Sequence, residues 1–172
     1  MTAKKHTILI AGASGVVGAA AVEHFAALPD WQVLALSRRP PSHTPLPEGV
    51  RHLRLDLTDA SACVAAADGL KDVTHVFFAA LFELPALVAG WRDPEQMAVN
   101  LAMLRNLLDA LQPVAKGLRH ITLMQGTKAY GGHVEPAPVP AKERAPRHPH
   151  ANFYWLQEDL LRERQPHAGP AC

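Results

Sequence analysis

The sequence has few of the features that mark secreted, metal-binding or membrane-spanning proteins. Its 172 residues include two cysteines, Cys63 and Cys172, which stand too far apart for a metal or disulfide motif. None of the ten histidines lies in a ligand pattern such as H-E-x-x-H, so we expect no metal site and predict that most histidines are exposed or cap helices. No apolar run approaches the roughly 20 residues that a membrane-spanning helix needs.

The sequence also lacks an excess of charge of either sign. A formal net charge of +1 gives no support for nucleic-acid binding. The polar N-terminus, Met1–His6, has no apolar core of the kind found in signal peptides. With 48% hydrophobic and 19% charged residues, the chain has the composition of a globular domain. We therefore expect a reduced, cytoplasmic protein that binds neither membranes nor nucleic acid.

What the sequence does contain is a glycine-rich turn between a strand and a helix. An apolar run from Ile8 is followed by glycines at 12, 15 and 18, and an alanine-rich helical pattern continues from Ala19 to Leu28. This is the G-x-x-G-x-x-G form of the dinucleotide-binding motif. The motif uses its glycines for a tight turn, for close approach to a pyrophosphate and for close packing of the helix. The predicted cofactor-binding residues here are Gly12, Ser14, Gly15, Val16, Val17 and Gly18.

A second strand, Trp31–Leu36, ends in a basic turn. Rossmann domains that prefer NAD place an acidic residue at this point to hold the ribose 2′-hydroxyl. This sequence instead has Ser37, Arg38 and Arg39. Arginine binds phosphate bidentately and stays charged, so the turn favours the 2′-phosphate of NADP(H). The alternative is a solvated basic turn without a ligand.

The third predicted strand, residues 50–55, is followed by two further candidate contacts. Asp56 would accept a hydrogen bond from the adenine amino group, and the N–H of Leu57 would complete the contact. The alternative role is an N-cap, by Asp56 or Thr58, for the alanine-rich helix 60–69. Both roles hold at once if different residues fill them.

The fourth predicted strand, residues 73–80, is short and strongly apolar, as expected for a strand buried on both faces. Its last residues, Ala79 and Ala80, are small and would leave space for a ligand at the carboxyl edge of the sheet. The segment that follows contains five large apolar residues that could cover the nicotinamide or pack as core, and packing is favoured; they are Phe82, Leu84, Leu87, Val88 and Trp91.

The rest of the chain completes a regular β–α alternation. Asp93 and Pro94 open a long helix to Leu111, in which Asn100 is either a buried structural asparagine or a site residue. A fifth strand covers 118–124, a loop covers 136–149, and a last helix begins near Asn152. The pattern predicts an α/β fold with a doubly wound parallel Rossmann sheet of order 3-2-1-4-5. We assign residues 1–165 to one NAD(P)-binding domain and 166–172 to an irregular tail.

Two residues after the fifth strand have side chains suited to chemistry on a bound nicotinamide. A tyrosine hydroxyl stabilises an oxygen that gains charge when hydride arrives, and a nearby cation that lowered its pKa would assist. Lys128 lies just beyond the strand, and Tyr154 opens the last helix. Either residue alone is more often a surface residue, whereas the pair at one sheet edge points to a site.

These residues resemble those of the extended or atypical short-chain dehydrogenases/reductases. The usual Tyr-x-x-x-Lys pair is absent, since Glu158 stands four residues after Tyr154. The segments Gln125–Gly131 and Asn152–Asp159 instead resemble the Thr-Gly-x-Lys-x-Tyr and Asn-Phe-Tyr-Tyr-x-x-Glu-Asp motifs of the progesterone 5β-reductase/iridoid synthase-like subgroup. The segments Thr74–Phe78 and Asn100–Asn106 are also similar to that subgroup.

The resemblance implies a reductase of activated C=C bonds that uses NADPH and acts on a small carbonyl substrate, an enone or enal. Lys128 and Tyr154 would be the catalytic pair and would also contact the cofactor, together with Gln125. Trp155 stands where the family often has a second tyrosine. The alternatives are a non-catalytic NADP(H)-binding module and a sugar-nucleotide epimerase or dehydratase, the latter disfavoured by the missing Tyr-x-x-x-Lys.

The length departs from the family, whose members carry a C-terminal portion that builds much of the substrate pocket. The resemblance therefore predicts a truncated chain or a remnant that lacks this portion. A sheet with an open edge would follow, and with it an expectation of homo-oligomers through that edge.

Overall fold

The computed structural model describes residues 5–41, 46–85 and 87–165, so the predicted tail 166–172 lies outside the described residues. Five parallel strands form one sheet in the order β3-β2-β1-β4-β5, which confirms the predicted fold class and strand order. The strands are β1 His6–Ala11, β2 Trp31–Ser37, β3 Val50–Arg54, β4 His75–Phe78 and β5 His120–Leu123.

Helices follow β1, β3, β4 and β5 as the β–α alternation predicts, whereas none lies among the described residues between β2 and β3. They are α1 Val16–Ala26, α2 Ala60–Ala65, α3 Leu87–Gly90, α4 Pro94–Leu111 and α5 Phe153–Arg164, with 3₁₀ turns at Ala67–Leu70 and Thr127–Tyr130. Helix α4 begins as predicted, because the Asp93 carboxylate accepts a hydrogen bond from the N–H of Glu95 (2.7 Å). The short helix α3 was not predicted, since four residues carry too little periodicity.

The chain divides into two compact units. The first, Met1–Leu81 with Ala102–Met124, contains the sheet. Its centre is formed by β1 and β2, whose uninterrupted apolar runs are buried because strands on both sides and helices on the faces exclude water. The second unit, Phe82–Leu101 with Gln125–Cys172, has a small core of Trp91, Met97 and Phe153.

The predicted cap of helix α2 is wrong. Neither Asp56 nor Thr58 caps the helix; Asp59 does, accepting a hydrogen bond from the N–H of Ala62 (2.9 Å). Asp56 instead closes a turn, since its Oδ1 accepts from both the N–H (2.9 Å) and the hydroxyl (2.8 Å) of Thr58. Two capping-type residues three positions apart compete for the same role, and the helix begins after the later one.

The prediction that most histidines are exposed or cap helices is also wrong. His43 and His167 lie outside the described residues, and of the other eight only His24 and His120 are exposed. The remaining histidines are half-buried. His52 lies beside the Ser37 hydroxyl, and the others pack against aromatic rings or one another, as His6 does against Trp31. An imidazole that forms ring contacts and hydrogen bonds within the protein is buried more readily than composition indicates.

Candidate functional site

The glycine turn of the first unit has a geometry that only glycine satisfies. Gly12 has φ of +87°, and a Cβ there would lie 2.7 Å from backbone atoms of Ala79 and Ala80. A Cβ on Gly18 would lie 2.1 Å from the carbonyl oxygen of Gly12. The turn is therefore pressed against the end of β4 on one side and against the first turn of α1 on the other.

The start of helix α1 is open to a ligand. Gly15 is the N-cap residue and provides no side-chain hydrogen bond to the helix, and its own Cβ position meets only the Gly12 oxygen, at 3.4 Å. Ser14 is exposed, and the side chains of Val16 and Val17 are 91% and 48% exposed. A helix N-terminus in this state binds anions through its N–H groups, so these residues fit a dinucleotide pyrophosphate.

The basic turn after β2 is held by the serine that precedes it. Ser37 is buried, and its hydroxyl donates to the carbonyl of Arg39 (2.6 Å) and lies 3.1 Å from the His52 Nε2. The hydroxyl hydrogen is thus used within the turn, and His52 supplies the second bond as donor. Arg38 and Arg39 are exposed, and the Arg38 guanidinium is 4.0 Å from the Asp56 carboxylate. Ser37 shapes the turn while the two arginines present their charge to solvent.

Asp56 and Leu57, the predicted adenine contacts, differ in which of their hydrogen-bonding groups already have partners within the protein. One Asp56 oxygen is used by Thr58, and the other faces Arg38. Leu57 is buried, and its carbonyl accepts a hydrogen bond from the Asn106 side chain (2.8 Å). Ala79 and Ala80 are half-buried at the end of β4 and form the backing of the glycine turn.

In the second unit, Tyr154 lies in the first turn of helix α5. Asn152 caps this helix, and its side-chain oxygen accepts from the N–H of Tyr154 (3.0 Å). Burial, and next the charge of Glu83, raise the pKa of the Tyr154 phenol, while a hydrogen bond with the backbone of Gly126 acts in the opposite direction. The phenol is therefore neutral at physiological pH, which differs from the expected cation-lowered pKa.

Lys128 is held by an aromatic ring. Its Nζ lies 4.2 Å from the ring centroid of Trp91, a cation–π distance. The Trp91 indole N–H donates to the Glu83 carboxylate (3.1 Å), and its ring packs 5.4 Å from that of Tyr154. Trp91 is only 2% exposed, which confirms for this residue that the segment after β4 packs as core; the side chains of Leu87 and Val88 lie outside the described residues.

Sequence reasoning missed the roles of Trp91 and Glu83 toward the predicted pair. Both precede Lys128 by more than 35 residues, and no short motif joins them. Gln125 is close to the same helix end, with its amide nitrogen 3.4 Å from the Tyr154 carbonyl. Asn100 is fully buried and bonds to both backbone groups of Phe82 and to the Gln96 carbonyl, so it is a structural asparagine.

Over residues 5–41, 46–85 and 87–165, no cluster of three or more histidine, cysteine or acidic side chains has the arrangement needed for a metal ion. In the same ranges, no helix is both long and apolar enough to span a bilayer.

A parallel sheet of this order, with a glycine turn between its first strand and an open helix start, defines an NAD(P)-binding Rossmann domain. Residues 8–155 match the model of the NAD dependent epimerase/dehydratase family. The chain belongs to this family, whose members are of the NAD(P)-dependent oxidoreductase type.

Curated relatives support the resemblance seen in the motifs. The chain is 34% identical over 170 residues to a short chain dehydrogenase, gsfE, of Penicillium aethiopicum, covering 92% of this chain and 43% of that protein. It is 31% identical over 170 residues to the (S)-8-oxocitronellyl enol synthase of Catharanthus roseus, covering 92% and 41%. It is 33% identical over 165 residues to a 3-oxo-Δ(4,5)-steroid 5β-reductase of Arabidopsis thaliana, covering 90% and 41%. The chain thus spans about two fifths of the length of these relatives.

The fold also matches solved structures at low sequence identity. UDP-glucose 4-epimerase of Bifidobacterium longum, crystallised with NAD⁺ and UDP, superposes with a TM-score of 0.72 at 18% identity, covering 91% of this chain and 48% of the epimerase. At this identity the match establishes the fold alone.

Proposed function

We propose that this domain binds NADP(H) and contributes to the reduction of an activated C=C bond in an enone or enal. The observation that carries the proposal is the half-buried Tyr154 phenol in the same unit as Lys128, within motifs that resemble those of the progesterone 5β-reductase/iridoid synthase-like subgroup. A relative at 33% identity is named as a reductase of a 3-oxo-Δ(4,5)-steroid, which is an enone.

The preference for NADP(H) over NAD(H) rests on Arg38 and Arg39. Both guanidiniums are exposed at the end of β2, where Rossmann domains hold the adenosine ribose. The Asp56 carboxylate that faces Arg38 is 4.0 Å away, too long for a strong ion pair, so the arginine is available to a phosphate. The glycine turn and the open start of α1 would hold the pyrophosphate.

NADPH, when bound, would supply the hydride for the β-carbon of the unsaturated carbonyl compound, and negative charge would then develop on the carbonyl oxygen of that compound. The Tyr154 hydroxyl donates a hydrogen bond to that oxygen as its negative charge grows. A raised pKa suits this role, because the phenol must keep its proton in order to donate. Tyr154 therefore works as a neutral donor.

Lys128 supplies positive charge toward the same developing oxyanion. Its ammonium rests on the Trp91 ring, which limits the rotamers of a side chain that is otherwise flexible. The Trp91 ring is fixed in turn by its hydrogen bond to Glu83. A preorganised cation stabilises the transition state without the reorganisation that a mobile lysine would need.

Cofactor binding is tested by titrating the chain with NADPH and NADH and following nicotinamide fluorescence. Replacing Arg38 and Arg39 by alanine is expected to weaken NADPH binding by about 1.5–3 kcal/mol for each charged hydrogen bond lost, and to leave NADH almost unchanged. Equal losses for the two cofactors would contradict the 2′-phosphate assignment. An absence of saturable binding would contradict the whole proposal.

Turnover is tested by mixing the chain with NADPH and a small enone and following absorbance at the nicotinamide band. Tyr154→Phe is expected to lower kcat by about 10²–10³, the effect of removing one oxyanion donor. Tyr130→Phe is the matched control, since these are the two tyrosines of the chain. Lys128→Ala, with exposed Lys142→Ala as its control, tests the cation. NADPH binding without turnover in the unmodified chain would favour the non-catalytic binding module.

A further inference from the structure

A hydrogen-bonded row of four side chains connects the 3₁₀ turn that contains Lys128 to the start of helix α5, which contains Tyr154. The Asn152 amide nitrogen donates to the Lys128 carbonyl (2.8 Å) and lies 3.0 Å from the His150 Nε2. The His150 Nδ1 is 2.7 Å from the His148 Nδ1, and the His148 Nε2 is 2.8 Å from the Glu135 carboxylate. None of these contacts follows from the predicted cofactor site.

The hydrogen bonds determine which atom carries each proton in this row of side chains. The Asn152 oxygen accepts from the Tyr154 N–H, so its nitrogen is the donor to the Lys128 carbonyl and to the His150 Nε2. His150 must then accept at Nε2 and carry its hydrogen on Nδ1. That hydrogen goes to the His148 Nδ1, and His148 carries its own on Nε2, toward Glu135. The two histidines are thus neutral and have opposite tautomers.

A second contact connects the same row of side chains to the 3₁₀ turn that contains Lys128. Gly131 ends that 3₁₀ turn with φ of +77°, and a Cβ there would lie 2.6 Å from the Cγ of His148. The His148 ring therefore lies directly against the glycine that terminates the turn. The Lys128 segment is held from both ends, by Asn152 at a carbonyl and by His148 at its last residue.

We propose that Asn152, His150, His148 and Glu135 form a positioning network that holds Lys128 and Tyr154 in fixed relation, and that it stays complete only while His150 is neutral. The proposal rests on the proposed function in taking Lys128 and Tyr154 as the reacting pair. A proton added to His150 at Nε2 faces the Asn152 N–H₂ group and removes one hydrogen bond of the network.

The surroundings of His150 favour its neutral form. Burial, and after it the neighbouring His148, lower the pKa of His150 below its ordinary value, although backbone hydrogen bonds act against this. The His133 ring packs 4.9 Å from His150, and the Arg92 guanidinium donates to the His133 carbonyl (3.2 Å). Glu135 is the acidic partner, and it bonds to His148 rather than to His150. We therefore expect the network to be complete at neutral pH and to be lost as the pH falls below about 6.5, the ordinary histidine pKa.

The first test is imidazole ¹⁵N NMR on the full chain without cofactor at pH 7.5. The expected spectra show His150 protonated at Nδ1 and His148 at Nε2. Identical tautomers, or an imidazolium at either residue, would overturn the network. This measurement does not depend on turnover, so it separates failure of the network from failure of the proposed function.

The second test uses two variants chosen to keep the fold. Asn152→Asp retains a good N-cap but has no amide hydrogens for Lys128 and His150, and we expect kcat to fall about 10²-fold, as a ~1 Å misplacement would cause. His150→Gln keeps an acceptor for Asn152 but does not titrate, so it is expected to remain active and to lose the decline of kcat between pH 6.5 and 5. The exposed His24→Gln is the matched control and should keep the wild-type pH profile.

Backbone amide shifts of Lys128, Ala129 and Tyr154 provide the structural readout of the same variants. In the wild type these shifts should move together as the pH falls below 6.5, and in His150→Gln they should not. Movement that persists in His150→Gln, or wild-type kcat in Asn152→Asp, would overturn the proposal. If the unmodified chain binds NADPH but reduces no enone, the proposed function fails, and the amide shifts and tautomers still decide the positioning network.

Discussion

The two units hold their candidate site residues by different means. In the first unit the ligand-facing geometry is backbone: a left-handed glycine, an open helix start and a turn closed by a serine. In the second unit the geometry depends on side chains. The Lys128 ammonium lies over the Trp91 ring, the Trp91 indole donates to the Glu83 carboxylate, and the Asn152 cap accepts from the Tyr154 N–H. Backbone geometry is determined by residues that are neighbours in sequence, whereas side-chain packing brings together residues that are distant in sequence.

The largest expected effect comes from placing a methyl group in the glycine turn of the first unit. Gly18→Ala puts a Cβ 2.1 Å from the Gly12 carbonyl oxygen, and the backbone there has no side chain that can give way. We expect a loss of about 3 kcal/mol in unfolding free energy, the upper range for overpacking. Chemical denaturation measures it. Gly69→Ala is the matched control, since its Cβ would meet nothing within 4 Å and should be neutral or slightly stabilising.

The second unit is tested in the same way through Asn100. Asn100→Leu leaves the N–H and carbonyl of Phe82 without their side-chain partners in a buried site. The expected cost is about 1–3 kcal/mol for each group left unsatisfied. Asn106→Leu removes a single hydrogen bond, to the Leu57 carbonyl, and should cost about 1 kcal/mol in the same denaturation experiment. Equal losses would show that the buried amide of Asn100 is not needed.

The electrostatics of the second unit are tested through Glu83. Its charge contributes to raising the pKa of Tyr154, so Glu83→Gln is expected to shift that pKa downward. Tyrosinate absorbance in a Tyr130→Phe background follows Tyr154 alone, because the chain has two tyrosines. Glu95→Gln, which removes a charge from the first turn of α4, is the control. An unchanged Tyr154 titration would assign the shift to burial alone.

The smallest expected effect concerns the turn that carries the arginines. Ser37→Ala removes the hydrogen bond that holds the Arg39 carbonyl and the acceptor that faces His52. A bond of this kind contributes about 1 kcal/mol, so NADPH affinity should fall about fivefold and NADH affinity should stay the same. Ser61→Ala, at an exposed position in helix α2, serves as the control. A parallel loss for NADH would mean that Ser37 supports the strand rather than the arginine turn.

The sequence predicted the first unit well because its signals are local. The strand order follows from the right-handed crossover rule, and the need for glycine at 12 and 18 follows from motif spacing. The cap of α2 was predicted wrongly, because Asp56, Thr58 and Asp59 are all capping residues and only tertiary packing decides which one the helix follows.

The second unit could be predicted only in part. The motifs located Lys128 and Tyr154, but the indole that carries Lys128 lies in a segment whose pattern fits both core and ligand contact. His148 stands in the proline-rich stretch 136–149, which has no periodicity and which the pattern describes only as a loop, and His150 directly follows that stretch. Their hydrogen bonds depend on how that loop folds onto Gly131, and no local rule predicts such a contact.

The close approach of Gly12 to the end of β4 has a consequence for how this fold diversifies. The atoms that would clash with a Cβ on Gly12 belong to the main chain of Ala79 and Ala80, not to their methyl groups. The requirement for glycine is therefore independent of which side chains occupy positions 79 and 80. Mutation at those two positions can explore new pocket shapes while the phosphate-binding turn keeps its form, so ligand preference and cofactor retention can evolve separately.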